Sequence, residues 1–429
     1  MSRPLVRAVL GASLATSLVL LPPSATALTP EPRTEAVLDE PLPALDRELL
    51  RSTIGDLARP EATSAQLKVA GTAGSWYGSA GPADRRTGRS IGPYDRFRSG
   101  SITKMFVATV VLQLVAERRL RLDTPVQQYL PGLLPRSYAP ITVGNLLNHT
   151  SGLPDMTGPG VPAVGTPEEV LATRRDRWTP ERLVATQTRG PLKFAPGTRQ
   201  EYRGVNYVLL AMLVERRTGR PYGEEVDLRL LRPLGLHDTV IPGRDRHLHG
   251  RHVRGYLRTT DQRLVDVTVF DQTVAYGEGE LVTTSHDLDR FVAALFAGRL
   301  LPAAQQASLM TLPPPSVRTW AVGGADGGPA RYSMGLQTVT VNGVTFWGKT
   351  GETYGYQTAA FSTVDGRRRL VLSTTPTGDD ETQVPMAARV ADALTRPIAR
   401  PTPLGQLPRR PRSYAVATAA ARSLTPSFS

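Results

Sequence analysis

The chain has no cysteine. Disulfides are excluded, and with them thiol catalysis and thiolate metal sites. Lysine is nearly missing as well: Lys68, Lys104, Lys193 and Lys349 stand against 47 arginines. Arginine stays protonated in proteins, whereas lysine can lose its proton when buried, so the four lysines are the first places to look for chemistry. Aromatic residues make up only 6%. No aromatic-interleaved Lys/Arg block occurs, which argues against nucleic acid as a partner despite a formal net charge of +13. Such a balance favours anionic surroundings, an acidic cell-wall polymer among them. There is no G-x-S-x-G motif and no internal repeat. No apolar run reaches the ~20 residues of a membrane-spanning helix, so stable membrane insertion is not expected.

What is present is an ordinary globular composition, 40% hydrophobic and 21% charged over 429 residues. Arg3 and Arg7 precede the apolar "AVLGASLATSLVLL" (8–21) and the small-x-small "ATA" (25–27). This is the pattern of an export signal over residues 1–27, with cleavage after Ala27 and a secreted product. Residues 28–44 are Pro-rich and acidic, and 396–429 are rich in Pro, Arg and Ser. Both are expected to be disordered. The domain lies between them, over 45–395.

Periodicity and caps predict helices over 45–57, 101–118, 206–219, 285–298 (capped by Ser285) and 383–395. Residues 65–81 suit two strands and a turn. Asn342-Gly343 and Asp365-Gly366 each separate apolar β-type runs, which is the sequence signal of a hairpin. An antiparallel meander over about 335–375, helices at either end and a mainly helical insert give an α+β fold whose two parts share a cleft.

The chemistry centres on "SITK" (101–104). Residues i and i+3 of a helix share a face, so Ser101 Oγ and the Lys104 amine can meet. The run behind them is apolar nearly all round, and burial lowers an ammonium pKa. A neutral Lys104 beside Ser101 would be a general base beside a nucleophile. Alone, Ser101 could equally be an N-cap and Lys104 a solvated side chain. The second lysine sits in "WGKTG" (347–351), on the strand after the Asn-Gly turn. Ser-x-x-Lys followed far downstream by Lys-Thr-Gly is the pairing of serine β-lactamases and penicillin-binding proteins. Tyr202 precedes a helix start, from which its phenol could enter the cleft as a proton carrier. "RHLHGRH" (246–252) clusters His247, His249 and His252 but suits a solvated loop better than a zinc site.

Together with "ITVGNLLNHTSGLPD", "YRGVNYVLLAMLVERRTG", "PLGLHDT", "GEGELVTTSHDLDRF" and "WGKTGETYGY", these motifs resemble the class C β-lactamase-related group of serine hydrolases. Within it, the chain is most similar to secreted actinobacterial D-alanyl-D-alanine carboxypeptidases. The resemblance implies a β-lactamase/transpeptidase-like fold, an antiparallel sheet flanked by the N- and C-terminal helices. It implies Ser101 as the acylated nucleophile, Lys104 as acceptor of its proton and Tyr202 as relay to the leaving group. Lys349, Thr350, Gly351 and Glu352 would bind substrate, with the N–H groups of Ser101 and Glu352 as the oxyanion hole. No metal or cofactor is implied. The expected partner is a small peptide or ester, cell-wall peptidoglycan included, acted on by a monomer. Esters, β-lactams and D-amino peptides remain open as substrates, as does a non-catalytic penicillin- or wall-binding role.

Two positions depart from the family pattern. The middle motif, usually Tyr-x-Asn, is Tyr202-Arg203-Gly204, and His149 and Asn206 are expected to lie in structural positions nearby. Glu352 follows Lys-Thr-Gly where Ser or Thr is commoner. A carboxylate there would repel a substrate's C-terminal carboxylate, or else pair with Lys349.

Overall fold

Asn342 and Gly343 have φ of 48° and 79°. Two successive left-handed residues make the tight turn whose twist matches that of the flanking strands. Such local choices position the elements, described here from a computed structural model over residues 42–58, 61–156, 166–320, 326–377 and 383–396. The expected signal segment lies outside the described residues, as do the linker up to residue 41 and the tail beyond Arg396.

In chain order the framework is α1 (Arg47–Gly55), β1 (Ala62–Ala70), β2 (Trp76–Ala80), α2 (Thr103–Ala116), α3 (Val205–Thr218), α4 (Ser285–Phe296), β3 (Gln337–Val341), β4 (Val344–Thr353), β5 (Tyr356–Thr363), β6 (Arg369–Pro376) and α5 (Gln383–Thr395). The strands form one antiparallel sheet in the order β3-β4-β5-β6-β1-β2. The chain therefore builds the middle of the sheet from its two ends, with β1 beside β6. The β5–β6 connection is a longer loop than a two-residue turn. Asp365 Oδ1 accepts from Thr363 Oγ1 at 2.6 Å and from Arg367 N at 3.0 Å, and Gly366 takes the left-handed φ of 69°.

Alternation along β5 divides the core in two. Ala359 and Phe361 join Leu50 and Ile54 of α1 and Met386 and Val390 of α5 on one face. Tyr356 and Ala360 join the larger core on the other, where α2, α3 and α4 pack. Among the described residues, no helix is long and apolar enough to cross a membrane.

Two helix boundaries differ from the sequence reading. Thr284, not Ser285, caps α4, its side chain accepting from Asp287 N at 3.1 Å. Ser101 is not on the α-helix: it lies in a 3-10 turn, Gly100–Ile102, that feeds α2. Gly100, at φ 54°, starts that turn with its Cα against the backbone of Glu352 on β4. Only a glycine fits, because an added Cβ would lie 2.4 Å from Glu352 O and 2.5 Å from Glu352 N.

Candidate active site

The 3-10 turn sets Ser101 one short turn ahead of Lys104, so the i,i+3 pair meets through a tighter helix than expected. Lys104 Nζ donates to Ser101 Oγ at 3.0 Å. Tyr202, three residues before α3, donates its phenolic O–H to the same oxygen at 2.8 Å. Ser101, Lys104 and Tyr202 are thus brought together. Lys349 approaches from β4, its ammonium 4.6 Å from the centre of the Tyr202 ring, and Lys104 lies 5.1 Å from that centre. Both lysine amines thus lie against the Tyr202 ring.

β4 runs directly against the serine turn. A Cβ added to Gly351 would fall 2.0 Å from Ser99 O and 3.0 Å from Ser101 N. This contact sets the backbone of Gly351 and Glu352 beside Ser101, where the resemblance puts the oxyanion donors. The side chain of Glu352 is exposed. On a strand, residues three apart leave opposite faces, so Lys349 and Glu352 diverge. Lys349 Nζ instead donates to Gln337 Oε1 at 3.2 Å and to Thr350 O at 2.8 Å, and Thr350 Oγ1 reaches Gln337 Oε1 at 3.4 Å. Gln337 is supplied by β3, paired opposite Gly348.

The expectation of a neutral Lys104 needs correction. Lys104 is 1% exposed, and burial alone would lower its pKa. Tyr202 and the carboxylate of Glu278 outweigh that, and the ammonium is held above the ordinary lysine value. Nζ donates to Glu278 O at 2.8 Å and Oε2 at 3.2 Å. Burial pushes the Tyr202 phenol up, but Lys104 and Lys349 prevail and bring it below its ordinary value. Burial and the Lys104 charge lower Lys349, with Tyr202 acting the other way. With the ammonium favoured at Lys104 and the Tyr202 phenol lowered, the balance of basicity moves from the lysine toward the tyrosine.

The Tyr202 segment is itself held. His149 is buried at φ 61°, and its ring lies 4.5 Å from that of Tyr202. Its Nδ1 accepts from Arg203 N at 3.2 Å and is 3.2 Å from Asn206 Nδ2. Burial, then Lys104 and Lys349, keep the imidazole well below its ordinary pKa, so it is neutral and able to accept. Asn206 also contacts Ser151 Oγ at 2.7 Å and stays out of the cleft. Glu201 accepts from Lys193 at 2.7 Å and from Arg203 at 2.6 Å, tying both neighbours of Tyr202 to the rim.

Sequence reasoning assigned no role to Glu278 or Gln337. Glu278 is 174 residues from Lys104 and belongs to the "GEGELV" stretch, whose next turn closes onto the serine: Leu281 N donates to Thr103 Oγ1 at 2.9 Å, and Ser99 Oγ to Leu281 O at 2.9 Å. The signal for Gln337 was the hairpin register, which the Asn-Gly turn alone implies. The histidine stretch lies apart. His249 Nε2 is 2.5 Å from Asp245 Oδ2, and His252 Nδ1 is 2.8 Å from Gly250 O. Among the described residues, no cluster of three or more His or acidic side chains could hold a metal ion.

Comparison with known proteins bears on the fold and the family. Among solved structures, a D-stereospecific amidohydrolase from Streptomyces sp. superposes with a TM-score of 0.69 at 32% identity, covering 81% of this chain and 98% of that one. Esterase EstB of Burkholderia gladioli is 38% identical over 166 residues, 37% of this chain and 41% of the relative. The D-alanyl-D-alanine-carboxypeptidase/endopeptidase AmpH of Escherichia coli K12 is 32% identical over 162 residues, 37% of this chain and 40% of the relative. The aligned stretch thus spans about two fifths of these curated relatives. The family model described as Beta-lactamase matches residues 39–395. A match of that extent takes in nearly all that the structure describes, and the chain belongs to the Beta-lactamase family, a family of serine hydrolases.

Proposed function

We propose that the protein cleaves amide bonds on the carbonyl side of D-residues through an acyl-enzyme on Ser101. The observation that carries this is the convergence of Lys104 Nζ and Tyr202 OH on one serine oxygen, at 3.0 and 2.8 Å. In the phenolate form of Tyr202 the same short contact is made by the Ser101 hydroxyl donating to the phenolate oxygen. Ser101 Oγ attacks the substrate carbonyl as its proton passes to Tyr202, and Lys104 remains a cation throughout. The oxyanion that forms faces the N–H groups of Ser101 and Glu352. Tyr202 then gives its proton to the leaving amine, the C–N bond breaks, and an ester remains on Ser101. Water adds to that ester as Tyr202 takes a proton from it, the C–Oγ bond breaks, and Tyr202 returns the proton to Ser101 Oγ.

The D-stereospecific reading is supported by the Streptomyces relative, which aligns over 81% of this chain. A second reading, a D-alanyl-D-alanine carboxypeptidase of cell-wall peptides, is favoured by Lys349 and Thr350 on the strand edge and by the AmpH relative. Lys349 supplies a buried cation for a substrate carboxylate, and Thr350 a hydroxyl donor. The N-terminal export pattern suits either role, with the enzyme secreted toward peptidoglycan. Intact-mass detection of acylation, wild type against Ser101→Ala, tests the nucleophile. The substrates are a D-amino acid amide, its L-enantiomer, a D-Ala-D-Ala peptide and a simple ester. Adducts on wild type alone, with D preferred over L, are expected. Adducts that persist on the alanine variant would falsify the assignment.

A further inference from the structure

Gly204 stands where the Tyr202 motif departs from its family pattern, and the space beside it is not empty. A Cβ built on Gly204 would lie 1.7 Å from Glu278 Oε2, 2.4 Å from its Cδ and 2.6 Å from Oε1. The carboxylate therefore fills the volume into which a side chain at 204 would project. From there Oε2 accepts from Lys104 at 3.2 Å. Lys104 is 1% exposed at its side chain, and Glu278 is 22% exposed. Glu278 is thus the member of the pair with exposed side-chain surface.

Building on the acyl-enzyme reading above, we infer that Glu278 is a specificity-determining residue that selects substrates with a free α-ammonium group on the acyl side. A neutral amide side chain would offer both a donor and an acceptor. An ionised carboxylate only accepts, so whatever lies against it must donate. Two hydrogen bonds, Oγ to Nζ and Nζ to Oε2, separate the nucleophile from this carboxylate. When Ser101 holds the carbonyl carbon, the α-nitrogen is two bonds further along the acyl chain, within reach of that acceptor. An α-ammonium there is a charge-assisted donor, the strongest that an amino acid amide offers. An N-acyl group leaves only one neutral N–H for the carboxylate, without the charge that strengthens the bond, and adds bulk beside it. Lys104 does not exclude the ammonium, because the carboxylate accepts from both cations and offsets their repulsion. Glycine at 204 and glutamate at 278 are in this way one feature: a side chain at 204 would displace the carboxylate from this place.

The test compares a D-phenylalanine p-nitroanilide with its N-acetyl counterpart, using kcat/KM for each. Wild type should prefer the free amine. In Glu278→Gln both rates fall as Lys104 loses its charged partner, but their ratio should drop by about tenfold to a hundredfold, the scale of one charge-assisted hydrogen bond. The paired variant Gly204→Asn/Glu278→Gly returns a neutral amide to the same volume and should also lose the preference. Acylation by p-nitrophenyl acetate, which has no α-nitrogen, reports the serine machinery independently. If wild type is acylated by the acetate yet shows no preference for the free amine, or if either variant keeps the ratio, the assignment to Glu278 is overturned while the acyl-enzyme reading stands. If wild type takes no acyl group from any of these substrates, both fall.

Discussion

A lysine amine buried among apolar side chains loses its proton unless counter-charges hold it, and at Lys104 these are Tyr202 and then Glu278. The sign of the pH dependence follows. Tyr202 is lowered from 10.0, so its phenolate, the base, accumulates as pH rises through a value below the ordinary one. Lys104 is raised above 10.5, so the cation persists across that range and is lost only at higher pH. Acylation should climb on the acid side, level off, and fall above the ordinary lysine value. Tyr202→Phe should abolish the climbing limb and cost about 10²–10⁴ in rate. In Glu278→Ala, burial is left with one opponent fewer, and the alkaline limb should move to lower pH. Stopped-flow acylation across pH measures all three, and an alkaline limb that stays put in Glu278→Ala defeats the pairing. Gly100→Ala is a second test at this scale. Its φ of 54° costs a residue with a side chain about 1–2 kcal/mol. The Cβ also meets the Glu352 backbone, which cannot swing aside as a side chain would. Thermal melting should show a loss beyond the conformational cost, and acylation should fall more steeply still, because that contact sets the oxyanion donors.

At the scale of elements, α2 holds Ser101 and Lys104 in place by being buried on almost every side. Phe106 and Phe291, both fully buried, stack at 3.7 Å between α2 and α4. Phe106→Ala should destabilise by about 3–5 kcal/mol, read by urea unfolding, since a close-packed interior cannot refill the space. A loss under about 1 kcal/mol would mean the helix is not the rigid support described here. Much of this level was legible in sequence, and the reason is local chemistry. Asn342-Gly343 can hardly be other than a tight turn, Gly219 ends α3 in the left-handed conformation, and the apolar run after Lys104 demands burial. The 3-10 turn was not legible, because the backbone packed against Gly100 is that of Glu352, far along the chain. Nor was the charge of Lys104. Its apolar neighbours in sequence are real, but its carboxylate comes from a distant loop, and hydropathy along the chain reports desolvation without reporting partners. Gly204 was noticed as a gap. What fills the gap was visible only in three dimensions.

For the whole molecule, the sheet is the common wall of two cores. Ser101, Lys104 and Lys349 lie on one side, and α1 and α5 cover the other. Neighbouring residues of β5 alternate between the two, so neither core can melt without disturbing the other. This predicts one cooperative transition for the folded unit rather than separate melting of the helical and sheet regions. Leu50 tests it from the far side. It is fully buried in the α1–α5 core and takes no part in the serine cluster. Leu50→Ala should cost about 2–5 kcal/mol, lower the melting temperature and leave calorimetry with a single peak. Well below that temperature kcat/KM should stay at the wild-type value, since the fraction folded is still near one and the cluster is untouched. Acylating Ser101 with a slowly hydrolysed ligand should then raise the melting temperature of this variant as it does the wild type, because the adduct joins the serine turn to β4. A second calorimetric peak in Leu50→Ala, insensitive to acylation, would show that the far core folds independently and that the sheet does not couple the two faces.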